Sequence, residues 1–143
     1  MVFVGGMPCG ICGKPIEGRP GARLPHFVRN RLDPLFPLSG LAFHEACFEN
    51  HPLRELAERR SEEYLEKVKE PHRRCVVCGE EIDTDWYNTW YLSGDPSSPL
   101  YEFNYLHFHR QHLHAWARYE EFRRLVEVLE ASGSYVGPPI LPD

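Results

Sequence analysis

Cys9-Gly10-Ile11-Cys12 and His44-Glu45-Ala46-Cys47 are answered further along by Cys75-Val76-Val77-Cys78 and His109-Arg110-Gln111-His112. Two thiols separated by two residues turn toward one ion when a tight turn joins them. A third and fourth donor spaced three apart share one face of a helical turn. Four such donors close a tetrahedral site of the kind a structural Zn²⁺ takes. The separations are nearly conserved: Cys9 to Cys75 and Cys12 to Cys78 are offset by 66 residues, His44 to His109 and Cys47 to His112 by 65. Neighbours match as well, with Cys12-Gly13-Lys14-Pro15-Ile16 beside Cys78-Gly79-Glu80-Glu81-Ile82 and Phe43-His44 beside Phe108-His109. Such a register indicates a tandem duplication. It predicts one zinc for Cys9, Cys12, His44 and Cys47 and a second for Cys75, Cys78, His109 and His112.

All five cysteines of the 143-residue chain fall within these patterns, which leaves none for a disulfide framework. A redox CxxC would follow a strand in a βαβ unit, and neither flank reads that way. No run approaches the roughly 20 apolar residues of a membrane span. Met1-Val2-Phe3-Val4-Gly5-Gly6 has no basic region and is too short for a secretory core, so the expectation is a cytoplasmic protein with no membrane partner. Abundant Arg, Pro, Glu and Leu over sparse Gln and Asn suit a heat-adapted or GC-rich bacterial source.

The net charge of −5 is unevenly placed. Residues 1–71 carry ten basic and ten acidic side chains, residues 72–143 six and eleven. An acidic second half disfavours general polyanion binding. Arg19, Arg23, His26, Arg29 and Arg31 form the one basic stretch, read either as phosphate-contacting or as a solvated connector, with the connector favoured.

Within residues 14–43 five prolines exclude long helices, and short strands are expected over 23–29 and 35–43. A short helix from His44 ends near Asn50, and a second starts at Pro52 with Leu53, Leu56, Ala57, Tyr64, Leu65 and Val68 on its apolar face. Glu70-Pro71 marks a boundary. This gives a first zinc module, 1–71, and a second, 72–143, expected to pack as one compact unit. In the second, 85–92 and 100–108 predict a hairpin and His109 to Ala131 one uninterrupted helix. The tail from Tyr135 to Pro142 is expected to lie extended.

A CxxCG knuckle, a hairpin, and a helix carrying the last two ligands in its first turn resemble the treble-clef class of zinc fingers. The Cys-x2-Cys…His-x2-Cys of the first copy is also similar to the first half of a LIM finger, apart from its long gap before His44. The resemblance covers about two thirds of the chain and implies an α+β fold of two modules with two structural zinc ions. Treble clefs serve nucleases, ribosomal proteins and interaction modules alike, so the fold leaves function open.

His107 competes with His109 as a ligand, although His109 matches the first copy and shares a helical face with His112. His114 reads as solvated, and His26, His51 and His72 have no partner at ligand spacing. Trp86, Tyr87, Trp90, Tyr91, Tyr101, Phe103 and Tyr105 are either core or a binding platform. His26 with Pro34…Pro37-Leu38-Ser39-Gly40 faintly resembles the core of treble-clef nucleases, but the acidic-His pair that precedes it there is missing. The reading is a non-catalytic interaction or scaffold module with a protein partner, and a homodimer remains open. The alternative is a nucleic-acid-binding protein or nuclease that uses Arg19 to Arg31.

Overall fold

Each half begins with a knuckle whose backbone is closed on itself. In the computed structural model, which describes residues 6–69 and 73–142, the Cys9 N–H donates to the Lys14 carbonyl at 2.9 Å and the Gly13 N–H returns to Cys9 at 2.9 Å. Cys75 with Glu80, and Gly79 with Cys75, repeat this at 2.9 and 2.8 Å. Gly13 and Gly79 take φ of 76° and 77°, the left-handed turn that a side chain would strain. The turn carries the two cysteines round to one side.

In the first half β1 (Met7–Pro8) pairs antiparallel with β2 (Pro15–Ile16), and β3 (Ala22–Arg23) pairs with β4 (Ala42–Phe43). The helices α1 (Glu45–Glu49) and α2 (Arg54–Val68) follow. In the second half β5 (Trp86–Asn88) pairs with β6 (His107–His109), and α3 spans Tyr119–Ala131. The result is a mixed helix and small-hairpin structure of the α+β kind. No helix of the described residues is long and apolar enough to cross a membrane. The boundary expected at Glu70-Pro71 lies outside the described residues.

The chain divides into two compact units, Met1–Arg29 with Asp33–Glu63 and Asn30–Leu32 with Tyr64–Asp143. Inside them the internal repeat extends well beyond the ligands. Ala22 pairs with Phe43 as Tyr87 pairs with Phe108, each 65 residues on. The 3₁₀ turn Phe36–Leu38 recurs as Tyr101–Phe103. The Ser39 hydroxyl accepts the N–H groups of Phe27 and Val28 at 3.1 and 3.2 Å, and the Asn104 side-chain oxygen accepts those of Leu92 and Ser93 at 2.6 and 3.1 Å. Arg54 opens α2 where Tyr119 opens α3. The offset falls from 66 to 65 between Ile16 and Ala22, where the second copy is one residue shorter.

Several local expectations are corrected. The strands expected over 23–29 and 35–43 shrink to two residues each, because Pro25, Pro34 and Pro37 lack the N–H groups a longer ladder needs. The second hairpin is likewise three residues a side, and Tyr101–Phe103 is helical. The uninterrupted helix from His109 does not form. Arg110–Ala115 is 3₁₀, Trp116 is extended at ψ 128°, and α3 begins after it. Trp116 turns inward against Phe108, Phe103 and Phe122, with ring centroids 4.8, 5.7 and 5.8 Å away. A half-buried ring thus breaks the helix close to where the first copy has Pro52. Leu65 faces solvent, leaving Ala57, Arg60, Ser61 and Val68 as the buried stripe of α2. The tail bends at Gly137-Pro138 and Ile140-Leu141 instead of running straight, because Ile140 is buried and its carbonyl accepts from the Tyr87 hydroxyl at 2.6 Å.

Both units have a core at equivalent positions. Leu35, Leu38, Phe43, Phe48 and Ala57 are buried in the first, and Leu100, Phe103, Phe108, Leu113 and Phe122 in the second. The first unit also holds a largely buried ion pair. Arg60 reaches the Asp33 carboxylate at 2.7 Å, both side chains nearly buried, and the other Asp33 oxygen accepts the Leu35 N–H at 2.9 Å. Asp33→Ala removes the carboxylate partner of the guanidinium and uncaps the turn. It is expected to cost the first unit about 3 kcal/mol, measured by denaturant unfolding; a change below about 0.5 kcal/mol would show the pair to be dispensable.

Candidate metal centres

The knuckle brings Cys9 and Cys12 to one side, and the hairpin delivers His44 at the N-terminus of α1 with Cys47 one turn on. Cys75 and Cys78 meet His109 at the end of β6 and His112 in the 3₁₀ turn in the same way. In each cluster the four donor atoms lie within 4.8 Å of one another. These two groups of four can hold a metal ion.

The individual separations are those of a tetrahedron. Bonds of about 2.3 Å to sulfur and 2.05 Å to nitrogen set a tetrahedral S···N edge of about 3.6 Å. His44 Nδ1 lies 3.4 Å from the Cys12 sulfur and 3.8 Å from that of Cys47. His109 Nδ1 lies 3.4 Å from Cys78 and His112 Nδ1 3.6 Å from Cys75. The Nδ1 atom faces the cluster in all three histidines. The Nε2–H of His44 donates to the Pro15 carbonyl at 3.1 Å, which fixes the tautomer with its Nδ1 lone pair free for a metal.

Backbone dipoles prepare the sulfurs. Burial works against a charged Cys9, but the N–H groups of Cys12, His44 and Ile11 outweigh it and hold the thiol down to about 6. Burial likewise opposes the Cys75 thiolate, and the N–H groups of Cys78 and His109 with the His112 and His109 side chains bring it down to about 6. Cys47 goes the other way, pushed up to about 11 by desolvation and by the neighbouring Cys12 and Cys9 sulfurs. Cys9 and Cys75 are buried while Cys12 and Cys78 are exposed, so each cluster opens to solvent through its second thiol.

A pH dependence follows. Thiols held below their usual range contribute stability that is complete above pH 9 and lost as pH falls through about 6, so the metal affinity of both clusters is expected to fall more steeply below about pH 6. The first cluster must also expel the Cys47 proton, for which the second has no counterpart. Its affinity is therefore expected to rise more steeply between about pH 7 and 9, read by chelator competition. Parallel slopes for the two clusters would contradict this.

His107 is buried and held elsewhere: its Nδ1 accepts from the Asn88 amide at 2.9 Å and its Nε2–H donates to the Lys67 carbonyl at 2.9 Å. His109 takes the place in the cluster. His51 Nδ1 accepts the Leu53 N–H at 3.0 Å, His114 stacks on Tyr119 at 4.6 Å, and His72 lies outside the described residues. Among the aromatics of the second hairpin, Tyr87, Phe103 and Tyr105 are buried, Trp86, Trp90 and Tyr91 half-buried, and Tyr101 exposed. The basic stretch contributes Arg23 and His26 to a surface cleft lined also by Leu24, Pro25 and Gly40. Nothing in the sequence alone pointed to that cleft, since it depends on Gly40 lying against His26. Comparison with protein-family models, with curated proteins and with solved structures returned no match.

Proposed function

We propose that the chain is a zinc protein of two treble-clef-like modules, each organised around one structural Zn²⁺, acting as a non-catalytic interaction or scaffold module for a protein partner. The single observation that carries this reading is the set of S···N separations, 3.4 to 3.8 Å in both clusters, against a tetrahedral zinc edge of about 3.6 Å. Sulfur and imidazole donors suit zinc over hard cations such as calcium or magnesium. Four protein donors close each site, which leaves no position for the water a catalytic zinc must activate. When bound, zinc supplies cross-linking of the knuckle to the hairpin and helix. The chain's own N–H groups stabilise the thiolates that receive it.

X-ray absorption on the zinc-loaded protein tests the reading. Averaged over two ions, the expected shell is four donors, with five sulfur and three nitrogen ligands shared between them. A shell expanded to five donors, or a sulfur count below that of the five cysteines, would point to an open and reactive site.

A further inference from the structure

Burial treats the two clusters alike: in each, the first thiol is buried, the second exposed and the last two donors half-buried. What stands behind the donors differs. The His44 Nε2–H donates to the Pro15 carbonyl at 3.1 Å, which holds that ring against the knuckle. Glu81 takes the matching position in the second unit, where its backbone bridges to Arg74. Among the described residues, neither His109 nor His112 has a hydrogen-bond partner at Nε2. The two rings meet each other edge to face instead, with centroids 4.9 Å apart. The fourth donor is also carried differently. Cys47 lies in α1, where the Phe48 N–H donates to the His44 carbonyl and the Asn50 N–H to that of Ala46, both at 3.1 Å. His112 lies in the 3₁₀ turn Arg110–Ala115, a form with poorer hydrogen-bond geometry. It also offers an imidazole where Cys47 offers a thiolate, so the second cluster sets one fewer anionic sulfur against a divalent ion.

We propose that the second cluster is the exchangeable metal site of this chain, so that the second unit opens and closes with zinc supply while the first keeps its ion; this rests on the reading of both clusters as zinc sites. A partner on the far nitrogen of a metal-bound imidazole fixes the ring and raises its basicity, and losing such a partner typically costs about 10–100-fold in metal affinity. His44 has that partner, and the two imidazoles of the second cluster do not. Soft thiolate sulfur suits zinc, and the first cluster holds its ion through three sulfurs against two. The proton that Cys47 must lose is already gone once metal is bound, so it slows entry into the first cluster and not release from it. Without a competitor both ions stay bound. Release from the second cluster reaches the core directly. Phe108 precedes His109 and Leu113 follows His112, and both are fully buried in one cluster with Tyr87. Freeing the two imidazoles therefore loosens the elements that carry this core.

The test follows zinc release from the ¹⁵N-labelled, zinc-loaded full-length protein into excess pyridylazoresorcinol, a chelator that colours on binding zinc. Two phases of equal amplitude are expected, the fast one at least about tenfold faster than the slow one. Amide spectra taken after the fast phase are expected to show lost dispersion at Tyr87, Phe108 and Leu113, with Phe43 and Phe48 unmoved. His112→Cys, which gives the second cluster the donors of the first, is expected to shift the fast phase toward the slow one. Cys47→His is expected to quicken the slow phase yet leave it slower than the fast one, because the Pro15 acceptor remains. Release of both ions in a single phase, or a first loss at Phe43 and Phe48, overturns the proposal. So does a fast phase that His112→Cys leaves unchanged. If either variant fails to fold, the order of release in the unsubstituted protein decides alone. Zinc content before the chelator is added separates the two readings. Two ions per chain that leave together remove the exchangeable site alone, whereas a loaded protein that holds no zinc removes the reading of the clusters as zinc sites.

Discussion

Chelating the metal from the loaded protein is expected to abolish the cooperative fold of both units, with loss of most helical signal and of amide dispersion. Structural zinc contributes on the order of 10–16 kcal/mol of apparent binding free energy near neutral pH, more than a small domain holds in reserve. Each unit is small and rich in short elements: strands of two or three residues cannot hold a hairpin together alone. A bound metal would tie the knuckle, β4 or β6, and the following helical turn at one point. Circular dichroism and proton–nitrogen spectra before and after exhaustive chelation read this directly. Full helicity in verified metal-free protein would show that the cores suffice.

Phe43→Ala and Phe108→Ala are expected to cost their own units about 3–5 kcal/mol each. Both rings are completely buried and stand at equivalent positions, one residue before the first histidine ligand of each cluster. Phe43 stacks on Phe48 at 5.2 Å, and Phe108 lies between Tyr87 and Trp116 at 6.2 and 4.8 Å. Removing either ring leaves a cavity in the core of that unit, so the loss should appear in unit-resolved hydrogen exchange of the zinc-loaded protein as faster opening of one unit. Losses under about 1 kcal/mol would mean that neighbours collapse into the space.

The two Cys/His clusters were legible because chemistry confines them: few residue types offer sulfur or imidazole donors, and their spacing is fixed by a knuckle and a helical turn. The exact extent of the repeat was not. Ser39 and Asn104 do the same work with a hydroxyl and an amide, Asp33 and Ser98 both receive a backbone N–H, and Pro52 and Trp116 both belong to a helix break by unrelated means. Residue identity hides such equivalence, whereas hydrogen-bond geometry exposes it. The run from His109 to Ala131 contains no helix breaker, and local propensity would carry a helix through it. The packing of Trp116 against three other rings overrides that propensity, and only the folded core contains this information. His107 was ambiguous for the same reason: its partners, Asn88 and the Lys67 carbonyl, are 19 and 40 residues away.

The most direct measurement is metal content per chain by elemental analysis, on protein purified without added metal and without an affinity tag. About two zinc ions per chain are expected, one for each cluster of four donors. One zinc per chain, with the His109–His112 cluster empty or holding a different ion, would contradict a pair of closed structural sites and make that second cluster the place to look for reactivity.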